Sequence, residues 1–470
     1  MLYLPTLLSA LFTLLCTLAL ADDGINDADF PNNIITRDVC IIGGGSAGTY
    51  SAIRLQQMGK SVVVVEEKAV LGGHTNTYVD PVTGAPVDFG VALWEDIPVV
   101  RNYFAHLGVA LTTVDSNAPS PFVNDFADFA SGTIIPSSAL PQGNPATAFA
   151  TYLAQQAKYP YLNNGFDLPS PVPDDLLLPF GDFIKKYQLD DMAYIVFQYG
   201  QGLGNILAQL TLYTLKNFNT EVVGGILSHF LVTAQHDNHE LYDKALAELG
   251  SDALLNSTVL RIDRSEEDCI RAVVSTSSGR KIIKAKKLLI AIPPKLHNLG
   301  FLDLDSDECD LFGQFNNSYY WNSIVRNSGV PDNTSLNNLA PTAPEGIPAM
   351  PGIYTISASG VPGLHQVYYG SPYPIPADKV KSDILSTIAT LVKAAGFSPA
   401  PGPADFAAFS DHSPFELTVS ADAIKAGFYQ QVNALQGKHQ TWWTGAAWQT
   451  HDSSLIWNFT EYNILPQLMT

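Results

Sequence analysis

Three glycines and one glutamate carry the clearest chemical pattern in the sequence. Gly43, Gly45 and Gly48 form a Gly-x-Gly-x-x-Gly turn, and Glu66 follows at the end of the next apolar run. In such a turn the first glycine permits the tight bend, the second lets a pyrophosphate approach the backbone, and the third lets a helix pack closely on a strand. A carboxylate in the position of Glu66 accepts hydrogen bonds from ribose hydroxyls. The spacing therefore predicts a dinucleotide site.

The elements that must position these residues are those of a βαβ unit. Residues 39–42 form an apolar run typical of a strand, and residues 61–65 form a β-branched run that predicts a second strand. Residues 49–58 have apolar side chains at helical spacing, so Ser46 and Ala47 fall where a helix begins. Free N–H groups and the macrodipole favour negative charge there, which places the pyrophosphate beside these two residues.

A second glycine-rich stretch follows Glu66. Gly72 and Gly73 stand side by side and predict another close approach of the backbone to the bound cofactor. Asp88 and Gly90 form an Asp-x-Gly turn in an apolar setting.

Together, residues 37–90 resemble the N-terminal FAD-binding region of the flavin-containing amine oxidase superfamily. That family's pattern is Gly-x-Gly-x-x-Gly, then a glutamate followed by a double glycine, then an Asp-x-Gly turn, and all three parts are present. The resemblance implies FAD, bound non-covalently. One position departs from the pattern, because the arginine that usually follows the double glycine is His74. His74 is expected to replace that arginine as a hydrogen-bond donor to the cofactor, with covalent linkage to the flavin as the alternative.

The resemblance continues to the end of the chain. It implies that the backbone of Val259 meets the adenine and that Gly445 leads into a helix whose N-terminus points at the flavin pyrimidine, with Ser454 and Leu455 supplying N–H groups. The family often has an acid directly after that glycine, and Asp452 is expected to cap the helix instead.

The predicted fold class is α/β, or α+β when the whole chain is considered. A Rossmann-like FAD-binding domain is assembled from separate segments, and a substrate domain of mixed sheet and helices is inserted between them. The predicted ranges are 37–92, 225–298 and 404–470 for the FAD-binding domain, and 93–224 and 299–403 for the substrate domain.

Within the superfamily the chain is most similar to secreted fungal flavoproteins that resemble β-cyclopiazonate dehydrogenase. This similarity implies an FAD-dependent oxidoreductase that oxidises a small organic metabolite by hydride transfer to flavin N5, including oxidative cyclisation in fungal secondary metabolism. Two alternatives stay open. One is a secreted amine or polyamine oxidase that uses O2, although no lysine aligns clearly with the lysine of that group. The other is a protein that binds flavin or another ligand without turnover.

The sequence identifies no catalytic base. His451 is a candidate proton carrier because of its place beside the C-terminal helix, and an unperturbed imidazole titrates near neutrality. His365 and His412 are further candidates of the same kind. Aromatic side chains are expected to line the substrate pocket, and the candidates are Trp94, Trp321, Tyr368, Tyr369, Trp443 and Trp448.

The N-terminus predicts a secretory route. Residues 2–21 are almost wholly apolar and end in Ala19-Leu20-Ala21, which is typical of a signal peptide over residues 1–21. An uncleaved membrane anchor is the alternative, since the stretch is about long enough to span a bilayer. Four glycosylation sequons support secretion, and they begin at Asn256, Asn316, Asn333 and Asn458. Asn256 and Asn458 are the less favoured pair because they fall in the predicted cofactor domain.

Composition excludes several classes of partner. The 470-residue chain has a net charge of −20 and a pI near 4.7, which argues against nucleic acid and against stable association with anionic membranes. The sequence contains no Cys/His cluster that would predict a metal site. Cys269 and Cys309 are able to pair in an oxidising compartment. The expected partner is therefore a small-molecule substrate.

Overall fold

The computed structural model describes residues 25, 27–31, 33–116, 118–136, 138, 145–267, 269–398 and 400–470. The predicted signal peptide lies outside the described residues. Among the helices of the described ranges, none is long and apolar enough to cross a membrane. Cys269 and Cys309 are both half-buried, and no disulfide joins them in the described part of the chain.

Strands and helices alternate irregularly along the chain. The strands are β1 Ile34–Ile42, β2 Val62–Val65, β3 Thr77–Val79, β4 Pro86–Asp88, β5 Leu111–Asp115, β6 Val123–Asp128, β7 Thr133–Ile135, β8 His229–Thr233, β9 Ala253–Leu254, β10 Thr258–Glu266, β11 Cys269–Thr276, β12 Gly279–Ile290, β13 Asn316–Arg326, β14 Thr334–Asn338, β15 Gly352–Ala358, β16 Leu364–Ser371, β17 Asp405–Asp411, β18 Phe415–Thr418 and β19 Thr441–Trp443. The helices are α1 Ser46–Gln57, α2 Pro98–Leu107, α3 Pro145–Gln156, α4 Phe180–Tyr187, α5 Asp190–Tyr199, α6 Thr211–Asn217, α7 Thr220–Leu227, α8 Glu240–Leu249, α9 Ser306–Phe312, α10 Ala377–Ala395, α11 Ala421–Lys425, α12 Phe428–Asn433, α13 Ser453–Phe459 and α14 Leu465–Met469, with a π-helical turn over Thr460–Ile464.

The first sheet brings distant parts of the chain to one edge. Its strand order is β10-β11-β12-β1-β2-β9, and β19 also pairs with β12. Strands β12, β1, β2 and β19 run parallel, so their last residues, Ile290, Ile42, Val65 and Trp443, align across the sheet. The glycine turn, Glu66 and the stretch before Gly445 therefore leave the sheet at the same edge, which is where ligands bind in open α/β sheets.

Burial explains why these strands form. Every residue of β2 and the last four residues of β1 are buried, as expected for parallel strands that are covered on both faces. Helix α1 covers one face with its apolar side chains, among them Ile53 and Leu55. The predicted α/β class is confirmed.

The second sheet forms the other half of the molecule. Its strand order is β17-β13-β16-β15-β14-β6-β7, and β18 also pairs with β13. Helix α10 packs on one face through Val380, Ile384, Ile388 and Leu391, which share a hydrophobic core with that sheet. The other face is turned toward the cavity described below.

The domain boundary predicted at residue 404 differs from the observed strand pairing. Strands β17 and β18 fall within the predicted FAD-binding segment 404–470, yet both pair with β13 of the second sheet. Strands β17 and β18 belong to the second sheet because they pair with β13. Nothing in their own sequence predicts which sheet they join.

Candidate cofactor and active site

A cavity of about 670 Å³ lies between the two sheets, at the carboxyl edge of the first one. Most of the residues predicted to bind the cofactor line it. These are Gly43, Gly45, Ser46, Ala47, Glu66, Gly72, Gly73, His74 and Gly445. They come from the turns after β1, β2 and β19, so the fold brings together the residues that the motifs singled out.

The glycine turn provides a cradle without side chains. Gly43 has φ of +98°, and a Cβ there would lie 2.6 Å from Ile292. A Cβ on Gly48 would lie 1.9 Å from the carbonyl oxygen of Gly43, so Gly48 supports the turn from behind and does not line the cavity. At Gly45 the nearest atom to an added Cβ is Cα of Gly73 at 3.7 Å, which leaves open space in front of the backbone. This is the space that a pyrophosphate needs.

Glu66 is held in a fixed orientation at the cavity wall. Its Oε2 accepts a hydrogen bond from the N–H of Gly44 at 2.7 Å, and its Oε1 accepts one from the N–H of Lys68 at 2.8 Å. The side chain is buried, but each carboxylate oxygen keeps a second lone pair. A ribose hydroxyl can therefore donate to it.

Two helix N-termini meet at the cavity. Helix α1 begins at Ser46 and helix α13 begins at Ser453, and their hydroxyls are 2.9 Å apart. Asp452 caps α13 by accepting a hydrogen bond from the N–H of Leu455 at 3.1 Å, so the predicted cap is confirmed. The N-terminus of α1 brings partial positive charge to this end of the cavity, and the Ser46–Ser453 bond holds the start of α13 beside it.

Three residues predicted to bind the cofactor are used differently. The Asp452 carboxylate accepts the N–H of Leu455, so that N–H is not available to a ligand. The Ser454 hydroxyl accepts a hydrogen bond from the N–H of Glu95 at 3.2 Å. Val259 is buried in β10, where its backbone pairs with Val274, and it does not line the cavity among the described residues.

Glu95 and Asp452 form a carboxyl pair beside the helix N-terminus. Both line the cavity. Burial and the neighbouring Asp452 carboxylate raise the pKa of Glu95 well above its usual value, and burial also raises the pKa of Asp452. Burial therefore disfavours ionisation of both carboxyl groups at this end of the cavity.

A stack of three imidazoles lines the cavity between the first sheet and the second sheet. The ring centroids of His74 and His412 are 4.4 Å apart with an interplanar angle of 9°, and those of His74 and His451 are 6.2 Å apart. Burial lowers the pKa of His74 to about 4 and that of His451 to about 3, and it lowers the pKa of His412 well below its usual value. All three rings are neutral at pH 7.

Hydrogen bonds distinguish the three rings. The N–H of Glu416 donates to Nε2 of His451 at 2.9 Å, so a neutral His451 carries its proton on Nδ1 and is a donor. Nδ2 of Asn76 lies 3.1 Å from Nε2 of His412 and also donates to the carbonyl oxygen of His74, which fixes His412 in the same way. Among the described residues, the ring of His74 has no hydrogen-bond partner. His74 is thus the imidazole whose acceptor nitrogen is uncommitted.

Of the other sequence candidates, Tyr368 lines the cavity, whereas Trp448, Tyr369 and His365 do not. Trp448 is buried against Trp443 with ring centroids 5.7 Å apart, and Tyr369 donates its hydroxyl to Asp383 at 3.1 Å in the core of the second sheet. Neither lines the cavity. For Tyr369 the reason is that alternate residues of a strand face opposite sides, and Tyr369 follows the lining residue Tyr368. His365 is bonded to Ser328 at 3.0 Å and lies away from the cavity.

The cavity face of the second sheet contributes residues that no motif pointed to. They are Tyr320, Asn322, Asn337, Thr355 and Ser357. Each is an ordinary strand residue in sequence, and only the strand register places them together.

Comparison with known proteins is consistent across the chain. A model of flavin containing amine oxidoreductases matches residues 47–307. The FAD-dependent oxidoreductase pigF of Monascus ruber is 38% identical over 444 residues, which cover 94% of this chain and 93% of that protein. The β-cyclopiazonate dehydrogenase of Aspergillus oryzae is 35% identical over 453 residues, which cover 96% of both.

Solved structures share the fold at low identity. A fatty acid isomerase from P. acnes that produces CLA matches with a TM-score of 0.73 and 18% identity, over 92% of this chain and 98% of that one. Putrescine oxidase bound to putrescine matches with a TM-score of 0.62 and 15% identity, over 92% of this chain and 100% of that one.

The chain therefore belongs to the flavin-containing amine oxidoreductase family, as its motifs predicted. It is an FAD-dependent oxidoreductase. The open space before Gly45, the fixed carboxylate of Glu66 and the convergent helix N-termini are chemically suited to the pyrophosphate and ribose of FAD.

Proposed function

We propose that this enzyme dehydrogenates a small organic metabolite, with His74 accepting the proton that leaves the substrate. Bound FAD supplies the acceptor for the hydride. The β-cyclopiazonate dehydrogenase of Aspergillus oryzae is named for a dehydrogenation, and its 35% identity over 96% of both chains supports a similar reaction in fungal secondary metabolism.

We also propose which residues hold the cofactor. The turn from Gly43 to Gly48 and the start of α1 would bind the pyrophosphate, and Glu66 would bind the ribose. Gly445 and the segment before α13 would lie against the flavin. The closeness of Ser46 to Ser453 supports this assignment, because it brings both segments to one end of the cavity.

The single observation that carries the role of His74 is its uncommitted ring. A neutral imidazole with a free acceptor nitrogen can take a proton, whereas His412 and His451 have their acceptor nitrogens bonded to the protein. His74 also directly follows Gly73 of the proposed cofactor site, and its ring stacks on His412, which follows β17 of the second sheet. In the oxidation, one hydride leaves the substrate carbon and one proton leaves the substrate heteroatom.

The test is reduction of the bound flavin under anaerobic conditions, followed by its visible absorption. Indole- and polyketide-derived metabolites are mixed with the holoenzyme, and putrescine and benzylamine are mixed with it separately. Bleaching by a metabolite of the first group supports the proposal, and bleaching by the amines alone would favour amine oxidation. His74→Gln should keep FAD but slow reduction by about 100-fold or more. Reduction at the wild-type rate in this variant would remove His74 from the role.

We further propose that the chain follows the secretory route. The apolar stretch at 2–21 and the sequons support this. The side chains of Asn256, Asn316 and Asn333 are exposed, whereas Asn458 is half-buried in α13. The exposure of Asn256 differs from the expectation that its place in the cofactor half would hide it.

Expression of the full chain in a fungal host tests the route. The chain recovered from the medium should begin at Asp22, and enzymatic removal of N-glycans should lower its mass. Recovery of an intact chain that begins at Met1 from the cell interior, with no glycan, would exclude the proposal.

A further inference from the structure

A row of polar side chains crosses the second sheet on the face that lines the cavity. Strand register places Asn322 opposite Tyr368, Tyr368 opposite Thr355, and Thr355 opposite Asn337. All four residues line the cavity. Since neighbouring strands lie about 4.8 Å apart, the row extends over about 14 Å.

Asn322 is the residue in this row whose side chain lacks a hydrogen bond. Its side chain is only 2% exposed, and its Oδ1 is buried with no hydrogen-bond partner in the described structure. A buried amide oxygen without a partner is destabilising, and native proteins rarely leave one without a reason. A ligand in the cavity that bonds to the amide of Asn322 supplies such a reason.

The neighbouring residues keep free acceptor positions. Thr355 donates its hydroxyl to the carbonyl oxygen of Leu336 at 3.1 Å and accepts a hydrogen bond from the Ser357 hydroxyl at 3.2 Å, which leaves one lone pair of its oxygen. Nδ2 of Asn337 donates to the carbonyl oxygen of Asp125 at 3.3 Å, which leaves the amide oxygen to face a hydrogen-bond donor of a ligand. The row is suited to several polar groups along one edge of a molecule.

The charged residues that line the cavity lie in its other half. They are Glu66, Glu67, Lys68, Glu95 and Asp452. On the side of the second sheet and of helices α5 to α7, no Asp, Glu, Lys or Arg lines the cavity among the described residues. An ammonium or a carboxylate bound against the polar row would lose its hydration without gaining an opposite charge.

Apolar side chains complete this half of the cavity. Leu93 and Tyr199 line it and are 39% and 48% exposed, and Val222 and the buried Phe230 lie farther along the wall. Apolar surface at an open wall favours an apolar portion of the ligand. The cavity therefore combines one polar edge with an apolar remainder.

We infer that the substrate is an uncharged molecule with hydrogen-bonding groups along one edge and an apolar remainder, and that Asn322 is the residue that selects it. This inference rests on the proposed function, because it concerns the substrate of the same site. An uncharged substrate would distinguish this enzyme from oxidases of charged amines, because the cavity wall formed by the second sheet is polar but carries no charged side chain among the described residues.

Three probes with one ring system and three charges test the inference. They are 2-naphthamide, which is neutral, 2-naphthoate, which is an anion, and 2-naphthylmethylamine, which is a cation at pH 7.5. Each is titrated into the oxidised holoenzyme, and the shift of the visible flavin band yields its Kd. We expect 2-naphthamide to bind at least 10-fold more tightly than either charged probe. Equal or tighter binding of the cation or the anion overturns the inference.

Two variants assign the selection to Asn322. Asn322→Leu should weaken 2-naphthamide about 10-fold and leave the charged probes unchanged, and Asn322→Asp should improve binding of the cation. Asn317→Ala is the matched control, since Asn317 lies on the same strand but does not line the cavity. Unchanged affinities in both Asn322 variants would overturn the role of this residue, and the comparison of probes on the wild-type protein stands even if a variant fails to fold.

The outcome is separable from that of the proposed function. Binding of the probes does not require turnover, so a preference for 2-naphthamide can be observed even if no metabolite reduces the flavin. A holoenzyme that is reduced by a metabolite but prefers a charged probe would contradict this inference alone.

Discussion

The hydroxyl of Ser46 donates a hydrogen bond to the hydroxyl of Ser453 at 2.9 Å, although the two residues are 407 positions apart in the chain. The bond joins the first residues of α1 and α13. It therefore ties the glycine turn at the start of the chain to the capped helix at its end, and both segments face the cavity.

Loss of this bond should weaken FAD binding. A neutral hydrogen bond contributes about 0.5–1.5 kcal/mol, so Ser453→Ala is expected to raise the Kd of FAD about two- to tenfold. The double variant Ser46→Ala with Ser453→Ala should lose less than the sum of the two single variants, because the residues interact. Quenching of free FAD fluorescence by the apoprotein measures the Kd. Ser51→Ala is the control, since its hydroxyl bonds to the carbonyl oxygen of Ala47 inside α1. Strict additivity of the two serine variants would argue against the interaction.

Two glycines of the same turn should respond differently to alanine. At Gly45 an added Cβ meets nothing closer than 3.7 Å, so Gly45→Ala should fold with an unchanged Tm but lose FAD. At Gly48 the Cβ would lie 1.9 Å from the carbonyl oxygen of Gly43, so Gly48→Ala should not fold stably. Thermal unfolding of the apoproteins and their flavin content after purification report the two effects. A Gly45→Ala protein with full flavin would show that the open space before Gly45 does not hold the pyrophosphate.

The histidines of the stack should make stability depend on pH in the acidic range. Burial lowers the pKa of His74 to about 4 from an ordinary value of 6.5, so between these values the unfolded chain binds more protons than the folded one. The contribution of His74 is complete above pH 6.5 and is lost as the pH falls toward 4, by up to about 3 kcal/mol. Burial raises the pKa of Asp88 to about 7 and that of Glu416 to about 8, which acts in the opposite direction. The difference between wild type and variant is therefore the informative quantity.

Urea unfolding of wild type and His74→Gln between pH 4.5 and 7.5 measures this difference. The variant should gain stability relative to wild type as the pH falls. His297→Gln, which alters an exposed side chain, is the control and should follow wild type. Parallel pH curves for wild type and His74→Gln would contradict a buried neutral imidazole at this position.

A buried ion pair holds separate segments of the cofactor half together. Arg264 bonds to Glu308 at 2.7 Å with both side chains 1% exposed, and its Nη1 donates to the hydroxyl of Thr441 at 3.3 Å. Arg264→Met leaves the Glu308 carboxylate buried without its partner, which should cost about 3–5 kcal/mol of unfolding free energy. Adding Glu308→Leu should recover part of that loss, because it removes the unpaired carboxylate but also the bond from the N–H of Asp305 to Glu308 Oε2 at 3.0 Å that caps α9.

A surface pair provides the comparison for this stability test. Arg326 and Asp405 are 43% and 55% exposed, so Arg326→Met should cost at most about 1 kcal/mol. Urea unfolding at pH 7 compares the three variants. Equal losses for Arg264→Met and Arg326→Met would show that burial of the first pair has no energetic consequence.

Sequence motifs identified the parts of the site that depend on the local conformation of the backbone. Gly43 and Gly48 are required by a turn that leaves no room for a Cβ, Gly45 keeps the space before the turn open, and Glu66 directly follows a strand whose direction fixes its place. Such requirements involve residues close together in the chain, so spacing alone reveals them. The cap at Asp452 belongs to the same class, since a cap bonds within a few residues.

The sequence did not predict which aromatic side chains point into the cavity. Trp448 and Tyr369 have the residue types expected of a substrate pocket, yet both are buried away from the cavity. For Tyr369 the reason is the two-residue alternation of a strand, which places Tyr368 on one face and Tyr369 on the other. A shift of one residue in register would exchange them, and nothing in the local sequence sets that register.

The sequence by itself predicted a dinucleotide site, because the glycine turn and Glu66 depend on local backbone geometry, and its resemblance to the flavin-containing amine oxidase superfamily implied FAD. Only the tertiary structure decided how the rest of the cavity is lined. His74, His412 and His451 come from three separate segments and become a stack only when the two sheets meet. Asn322, Tyr368, Thr355 and Asn337 become a row only through the register of four strands. Contacts between residues far apart in the chain depend on how whole helices and strands pack, and no local sequence pattern predicts that packing.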